Sequence, residues 1–217
     1  MAFLNPNQCT KNTESKKLTL SFSDALSPII LAEFFNSKRK KAADPMGYIQ
    51  PRSSEQLFEL SRCGQIVTVV DQRFKIQALC VAYPFEVQDD ERRYSVTEIG
   101  TVINCIKGIG LSELTIAAMA QKIKNTQADQ KIVAKVAPHN LAANFFFHEK
   151  MEWDKVTQPS IISAYYSSDM GNTARNSKHS DLKSWYSYGE NAFQKDNEKL
   201  KNILDETENS TAIQFDI

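Results

Sequence analysis

The stretch Cys105-Ile-Lys-Gly-Ile-Gly-Leu-Ser-Glu-Leu114 places two glycines and a lysine between a predicted strand and a predicted helix. The strand is Tyr94 to Ile103, and the helix carries apolar residues at helical spacing from Leu111 to Ile123. A strand-to-helix turn with so few side chains exposes backbone N–H groups at a helix N-terminus, which favours binding of an anion. The alternative is a tight turn that only requires flexible residues.

The composition is that of a soluble globular protein, and 217 residues are enough for one sizeable core. Twenty-six basic and 26 acidic residues cancel, so the sequence predicts no nucleic-acid partner and no attraction to a membrane surface. The sequence contains neither a signal-peptide pattern nor an apolar run of membrane-spanning length, and we predict a cytoplasmic protein. Four scattered cysteines, with no histidine at metal spacing, predict buried reduced thiols and no metal site.

The periodicity predicts the element order β-α-α-β-β-β-α-β-α-β. This order indicates a mixed α/β (α+β) fold, with a mostly antiparallel sheet flanked by helices. Ser23 and Asp24 are predicted to cap the first helix, and Ser53 or Ser54 the second. The last strand of this order is predicted at Ser160 to Tyr166.

The chain is predicted to have one main domain with two flanking segments. We expect a flexible tail over residues 1–16, a domain over 17–167, and a C-terminal extension over 168–217 that ends in a helix. Leu182 to Tyr188 fits either a last strand or the start of a long helix. The terminal helix has one narrow apolar stripe, which favours docking on its own domain, with a homodimer or partner contact as the alternative. The stripe consists of Phe193, Leu200, Ile203 and Leu204.

Two common phosphate-binding motifs are absent from the sequence. A P-loop requires GxxxxGK[ST], whereas Lys107 precedes the second glycine of the turn. A Rossmann fingerprint requires GxGxxG in an early βαβ unit, whereas the turn supplies only Gly108 and Gly110 after hairpin-like strands. The pattern that the sequence does contain is GxG at a strand-to-helix junction in mid-chain.

Two segments together resemble the GNAT acetyltransferase superfamily. Thr97 to Leu111 is similar to its acyl-coenzyme A signature, written [QR]xxGx[GA]. Asn140 to Trp153 resembles its NxxAxxhYxxxGF helix and the exit from that helix. The predicted element order is also that of the superfamily, so the resemblance spans roughly residues 18–167.

The resemblance implies a GNAT-like fold that binds acetyl-coenzyme A. Backbone amides from Lys107 to Leu111 would cradle the pyrophosphate, and Lys107 would add a charge. The strand before the turn and the strand after it would splay apart, so that the pantetheine arm pairs with exposed backbone near Val102 to Asn104. Asn140 would contact the arm from the other side. The implied cofactor-binding residues are Val102, Ile103, Asn104, Lys107, Gly108, Ile109, Gly110, Leu111, Asn140 and Phe147.

Three positions depart from the superfamily pattern. Cys105 stands where Gln or Arg is usual, and Glu152 stands where glycine is usual, which implies a modified turn. Phe147 occupies the position of the tyrosine that is often assigned to protonate the leaving thiolate. The neighbouring His148 is predicted to be a surface or structural residue.

Glu98 is the candidate general base, because the resemblance brings its strand towards the reaction centre. A partly buried glutamate there could have a raised pKa and accept the proton of an amine. The alternative is a strand glutamate paired with Arg92 or Arg93. The aromatic residues predicted to lie in the core are Phe145, Phe146 and Trp153.

The sequence therefore predicts an N-acyltransferase that moves an acetyl group from acetyl-coenzyme A to a primary amine by direct attack in a ternary complex. The acceptor is a small molecule or a protein. The alternative is a coenzyme A-binding or regulatory module with the same fold and little catalysis, which the departures at Cys105, Phe147 and Glu152 favour.

Overall fold

A computed structural model describes residues 16–22, 26–42, 51–89, 92–138, 140–157, 159–167, 184–201 and 210–215. The described strands form one eight-stranded sheet in the order β6-β7-β5-β4-β3-β2-β1-β8. The strands are β1 (Lys16–Ser21), β2 (Ile66–Asp71), β3 (Ile76–Asp89), β4 (Arg92–Asn104), β5 (Lys131–Val136), β6 (Asp154–Lys155), β7 (Ser184–Ser187) and β8 (Ser210–Phe215).

Helices cover both faces of this sheet. They are α1 (Pro28–Ala42), α2 (Ser54–Arg62), α3 (Leu111–Thr126), α4 (Leu141–Phe145), a π-helical turn (Phe146–Lys150) that continues α4, α5 (Pro159–Ser167) and α6 (Glu190–Lys201). The predicted cap of α2 is confirmed at Ser53, whose hydroxyl accepts from the Gln56 amide while the Gln56 side chain accepts from the Ser53 amide. Gly64 then ends the helix with a φ of 69°.

The strand pairing is antiparallel except between β4 and β5. This confirms the predicted fold class, a mixed α/β (α+β) architecture with a mostly antiparallel sheet flanked by helices. The long hairpin of β3 and β4 lies in the middle of the sheet, and its loop lies outside the described residues.

The core has two layers, one on each face of the sheet. On one face α3, α4 and α6 pack on the sheet around Met119, Trp153 and Leu200. On the other face lie two separate apolar clusters, one formed with α1 and α2 and the other with α5. The strip of sheet between these two clusters is where the polar side chains of the candidate site collect.

Two segments differ from their predicted secondary structure. Residues 160–166 belong to helix α5 rather than to a strand, because Ile161 and Tyr165, four residues apart, point together into the core. The ambiguous segment Leu182 to Tyr188 contains strand β7, which lies between β5 and β6. Tertiary contacts, which local alternation does not report, decide both cases: packing into the core for α5 and pairing within the sheet for β7.

The C-terminal segment joins the same sheet. Helix α6 docks on its own chain, as the sequence favours: Leu200 is buried, and the Gln121 side chain on α3 donates to the Phe193 carbonyl. Strand β8, which the sequence analysis did not predict, pairs with β1 along its whole length. Ile203 and Leu204 of the predicted helix lie outside the described residues.

Some predictions fall partly or wholly outside the described residues: the tail over residues 1–15 and the proposed caps Ser23 and Asp24. The cysteines that the structure describes are free thiols; Cys80 is buried as predicted, whereas Cys105 is half-buried and Cys63 is exposed. No helix in the described part of the chain is long and apolar enough to cross a membrane.

Candidate functional site

The loop between β4 and α3 is held by bonds at its edges. The Cys105 amide donates to the Gln77 carbonyl at 2.8 Å. The Asn104 side chain accepts from the Ile106 amide at 2.9 Å and lies 3.3 Å from the Ser112 hydroxyl on α3. These contacts fix both ends of the turn and leave its centre to face outward.

The centre of the loop presents a set of backbone donors. Gly108 and Gly110 have φ angles of 85° and 77°, which L side chains rarely adopt. A Cβ placed on Gly108 would meet no heavy atom within 4 Å, so the space above it is open. Among the described residues, none accepts a hydrogen bond from the amides of residues 107–111. Unpaired N–H groups at the N-terminus of a 16-residue helix fit a pyrophosphate.

One ion pair lies at the edge of this loop. The Glu113 carboxylate, in the first turn of α3, is 2.9 Å from the Lys150 ammonium. An Oε atom of Glu113 is 4.0 Å from the position of a Cβ on Gly110, so the pair sits beside the unpaired amides. The charge of this carboxylate would repel an anion at the loop, whereas Lys150, like the exposed Lys107, would attract one.

Strands β4 and β5 separate after a short stretch of pairing. Only residues 96–98 of β4 pair with residues 131–133 of β5. Beyond Glu98, β4 continues to Asn104 and β5 continues to Val136 without pairing to each other. The splay that the resemblance implies is therefore present, and Val102, Ile103 and Asn104 lie on the free edge of β4.

A bulge at Gly100 bends β4 where the strands part. Ile99 and Thr101 have consecutive partners on β3, which leaves Gly100 without one. A Cβ on Gly100 would lie 2.5 Å from the Tyr83 ring and 3.4 Å from the Glu98 carboxyl carbon. The glycine is needed here because these two side chains approach the backbone closely.

Glu98 lies at the point where the strands separate, and only 3% of it is exposed. Its partner is Lys135 of β5, whose Nζ is 3.9 Å from a carboxylate oxygen. The alternative pairing with Arg92 or Arg93 is wrong for Arg93, which pairs with Glu86 at 3.3 Å, and no described contact joins Glu98 to Arg92. Glu98 is thus a buried carboxylate with a largely buried ammonium beside it.

Lys135 is itself enclosed by other polar and aromatic groups. Its Nζ donates to the Tyr165 hydroxyl at 2.6 Å and lies 4.0 Å from the centre of that ring. Burial lowers the pKa of Lys135; the charge of Glu98 opposes this shift and the charge of Arg52 adds to it. Lysine, glutamate and tyrosine come from β5, β4 and α5, so the fold alone brings them together.

Tyr83 and Arg52 extend this cluster towards α2. Tyr83, paired across the sheet with Glu98, is buried, and burial raises the pKa of its hydroxyl. Arg52 places its guanidinium over the Tyr83 ring at 5.1 Å and donates from Nε to the hydroxyl at 3.4 Å. We call Glu98, Lys135, Tyr165, Tyr83 and Arg52 the acceptor-face cluster.

Asn140 begins the helix on the other side of the gap. Its side-chain oxygen accepts from the Ala143 amide at 3.2 Å and so caps the helix. The oxygen is thereby occupied, and the Nδ2 group is the part of this side chain with donors for a ligand.

The helix after Asn140 contains one more residue than the superfamily pattern. The pattern NxxAxxhYxxxGF predicts the glycine at position 151, but the residue with a left-handed backbone is Glu152, whose φ is 57°. The π-helical turn accommodates the extra residue, and the Met151 amide donates to the Phe146 carbonyl five residues earlier. Lys195 of α6 pairs with the Glu152 side chain and supports the turn.

This insertion bears on which residue replaces the superfamily tyrosine. Counting forward from Asn140 gives Phe147, whereas counting back from Glu152 gives His148. Phe147 is buried, its ring stacked on Tyr186 and packed edge-on against Trp153. His148 is exposed, with a ring nitrogen 3.8 Å from Glu149, which agrees with its prediction as a surface residue.

The predicted residues of the loop and of the free edge of β4 lie on one continuous stretch of backbone. Glu98 lies at the far end of this stretch.

The aromatic residues predicted to lie in the core behave differently from one another. Trp153 is buried, but Phe145 is 64% exposed, so the prediction is wrong for Phe145. The sequence analysis missed Lys135, Arg52 and Lys150, which no local motif distinguishes from other basic residues.

No protein-family model matches the sequence, and no curated protein matches it. Solved structures match the fold. An acetyltransferase of the GNAT family from Listeria monocytogenes 4b F2365 aligns with a TM-score of 0.51 at 7% identity, over 78% of this chain and 92% of that one. Naa50 from Arabidopsis thaliana, in complex with the bisubstrate analogue CoA-Ac-MVNAL, aligns with a TM-score of 0.50 at 12% identity, over 79% and 98%.

A longer structure, a GCN5-related N-acetyltransferase from Kribbella flavida, aligns more weakly. Its TM-score is 0.45 at 11% identity over 64% of this chain, and the chain spans only 33% of its length. The two stronger alignments cover nearly the whole of their structures. The chain therefore has the fold of the GNAT acetyltransferases.

Proposed function

We propose that this protein is an N-acetyltransferase that moves an acetyl group from acetyl-coenzyme A to a primary amine by direct attack in a ternary complex. The observation that carries the proposal is the combination of unpaired amides at residues 107–111 with the splay of β4 from β5. The loop and Glu98 are joined by one strand, roughly 20 Å of backbone at about 3.3 Å per residue. An extended pantetheine arm spans such a length.

The residues of the chain fit the cofactor. The amides of Lys107 to Leu111 would hold the pyrophosphate, the free edge of β4 from Val102 to Asn104 would pair with the amide groups of the arm, and Asn140 would donate from the opposite side. When bound, acetyl-coenzyme A supplies an acetyl thioester that is activated towards attack by an amine.

Glu98 is proposed to receive the proton that the acceptor amine must lose. The carboxylate is buried at the end of the gap, where water competes little for it. The Lys135 ammonium fixes the carboxylate, and Tyr165 fixes the lysine. The acceptor, a small molecule or a protein, would approach along the strip of sheet between the α1–α2 cluster and the α5 cluster.

Cofactor binding is tested by thermal unfolding with and without acetyl-coenzyme A. We expect stabilisation of about 2.7 kcal/mol at a ligand concentration a hundredfold above Kd. Catalysis is tested by thiol release with a panel of primary amines, where Glu98→Gln should lower kcat and flatten the pH profile. An unfolding curve that millimolar cofactor does not shift contradicts the proposal.

The second candidate function is a coenzyme A-binding module without catalysis. Phe147 favours it, because a buried phenyl ring has no proton to give a leaving thiolate. The two functions differ in one measurement: the module binds acetyl-coenzyme A and releases no thiol with any amine above the background rate.

A further inference from the structure

We propose that the acceptor carries a carboxylate in addition to its amine, and that Arg52 binds this carboxylate. The inference rests on the proposed function for the identity of the amine site, and adds the chemical class of the acceptor. Its basis is the arrangement of charge within the acceptor-face cluster.

Arg52 is held in place by its surroundings before any ligand binds. Its backbone amide donates to the Asn36 side-chain oxygen at 3.2 Å, and its carbonyl accepts from the Asn36 side-chain nitrogen at 2.7 Å. The next residue, Ser53, caps α2. The backbone of Arg52 is therefore fixed, and contact with the Tyr83 ring fixes its guanidinium. Less conformational entropy is then lost when a ligand binds.

The guanidinium has donors to spare. Nε is used on the Tyr83 hydroxyl, which leaves the two Nη groups, the fork that matches a carboxylate. Among the described residues, no carboxylate lies within 4.0 Å of Arg52. The residue is only half-buried, so an incoming ligand has access to it.

The charges of the cluster do not balance. Glu98 and Lys135 form one pair, and Arg52 adds a second cation close enough to lower the pKa of Lys135. The described part of the cluster therefore has one excess positive charge on a partly desolvated surface. An acceptor that brings only an ammonium group adds to this excess, whereas one that also brings a carboxylate cancels it.

The spacing suits both groups on one small molecule. Glu98 and Tyr83 are directly paired across β4 and β3, and the Tyr83 side chain leads from that pair to Arg52. The Glu98 carboxylate and the Arg52 guanidinium therefore both lie beside the Tyr83 side chain, the first next to the strand pair and the second over the ring. Two groups at separate points of one tyrosine side chain favour amino acids with a side-chain amine over compounds in which amine and carboxylate share a carbon.

The test compares acceptors that differ only in the carboxylate: L-ornithine with putrescine, and L-lysine with cadaverine. Thiol release from acetyl-coenzyme A should give a kcat/KM at least tenfold higher for the amino acid of each pair. Arg52→Gln should bring this ratio close to one, mainly by raising KM for the amino acid, and Arg52→Lys should give an intermediate ratio because it keeps the charge but loses the fork. Arg62→Gln, an exposed arginine on α2 paired with Glu59, is the matched control and should leave the ratio unchanged.

Calorimetry keeps the inference testable if no amine is turned over. L-ornithine should bind at least tenfold more tightly than putrescine, with or without coenzyme A, and Arg52→Gln should abolish the difference while circular dichroism shows an intact fold. Equal affinity for the two compounds, or a preference that survives Arg52→Gln, overturns the inference. Turnover of putrescine and cadaverine in preference to the amino acids also overturns it and leaves the acetyltransferase proposal standing. Absence of cofactor binding instead counts against the proposed function.

Discussion

The two ends of the gap between β4 and β5 differ in the groups that make the proposed contacts. At the cofactor end, the proposed contacts are backbone amides in a loop fixed by Asn104 and by two glycines of positive φ. At the acceptor end, they are the charged side chains of Glu98, Lys135 and Arg52, brought together from β4, β5 and the segment before α2. Changes at the acceptor end are therefore expected to affect folding and chemistry together, whereas changes at the cofactor end should affect binding alone.

The largest expected effect is at the acceptor end. Lys135→Met leaves the Glu98 carboxylate buried without its ammonium partner, and should lower the free energy of unfolding by about 3 kcal/mol. The double variant Glu98→Gln/Lys135→Met removes both charges and should recover more than half of this loss. Urea unfolding of the two single variants and the double variant measures the coupling. A double variant no more stable than Lys135→Met would show that the pair is not coupled.

The next effect, at the cofactor end, should change affinity and not folding. Gly108→Asn and Gly108→Asp are matched in size and tolerate a positive φ better than other side chains, and the space above Gly108 is open. Only the aspartate places a negative charge among the amides. We expect affinity for acetyl-coenzyme A at least tenfold weaker for Gly108→Asp than for Gly108→Asn, with similar melting temperatures. Equal affinities in a titration would place the pyrophosphate elsewhere.

These two ends also differ in how far the sequence predicts them. The cofactor end was predicted because glycine at a strand-to-helix turn is a local signal, and the unpaired amides follow from the backbone. The sequence analysis proposes Glu98 as a candidate but not its partner: Lys135 lies 37 residues further along the chain, and only the parallel pairing of β4 with β5 brings the two together. Helix α5 was predicted as a strand for a similar reason, since its role depends on what it packs against.

The insertion in the helix after Asn140 shows another reason why the sequence does not predict the whole site. The segment aligns with the superfamily helix, but a single extra residue changes which side chain faces which way. The π-helical turn at Phe146–Lys150 shows where that residue is absorbed. Phe147 and Glu152 are five residues apart, whereas the pattern spaces its tyrosine and glycine by four, so the sequence already contains the mismatch, and the helix geometry shows where the extra residue lies.

A smaller effect tests the charges beside the loop. Lys150→Met removes a cation and should weaken acetyl-coenzyme A binding by about threefold, while Glu113→Gln removes an anion and should strengthen it by a similar factor. Both effects should shrink as salt is added, because the Lys150 side chain is half-exposed. Titrations at low and high ionic strength check this. Changes of the same sign in both variants would mean that the pair acts through structure rather than charge.

The pH dependence of stability tests the acceptor end again. Burial lowers the pKa of Lys135 below the 10.5 of free lysine, so between the two pKa values the unfolded chain binds more protons than the folded chain. Stability contributed by this residue therefore rises with pH up to about 10.5. Glu98→Gln and Glu98→Gln/Lys135→Met differ only at residue 135, so the free energy of unfolding should increase more with pH in the single variant. Urea unfolding between neutral pH and pH 10.5 measures this increase. Parallel pH curves for the two variants would contradict the prediction.

The smallest expected effect is at His148, and it decides between the two residues that can replace the superfamily tyrosine. His148 is exposed and lies beside Glu149, so His148→Gln should change the rate of thiol release by less than about twofold, within the usual range for a surface substitution. Glu149→Gln, a neighbouring exposed position, is the matched control. A rate that falls at least tenfold in His148→Gln alone, together with loss of the basic limb of the pH profile, would instead make the imidazolium the proton donor for the thiolate. In that case the inserted residue would have moved the proton donor from position 147 to position 148. The protein would then have kept a donor, although Phe147 cannot act as one.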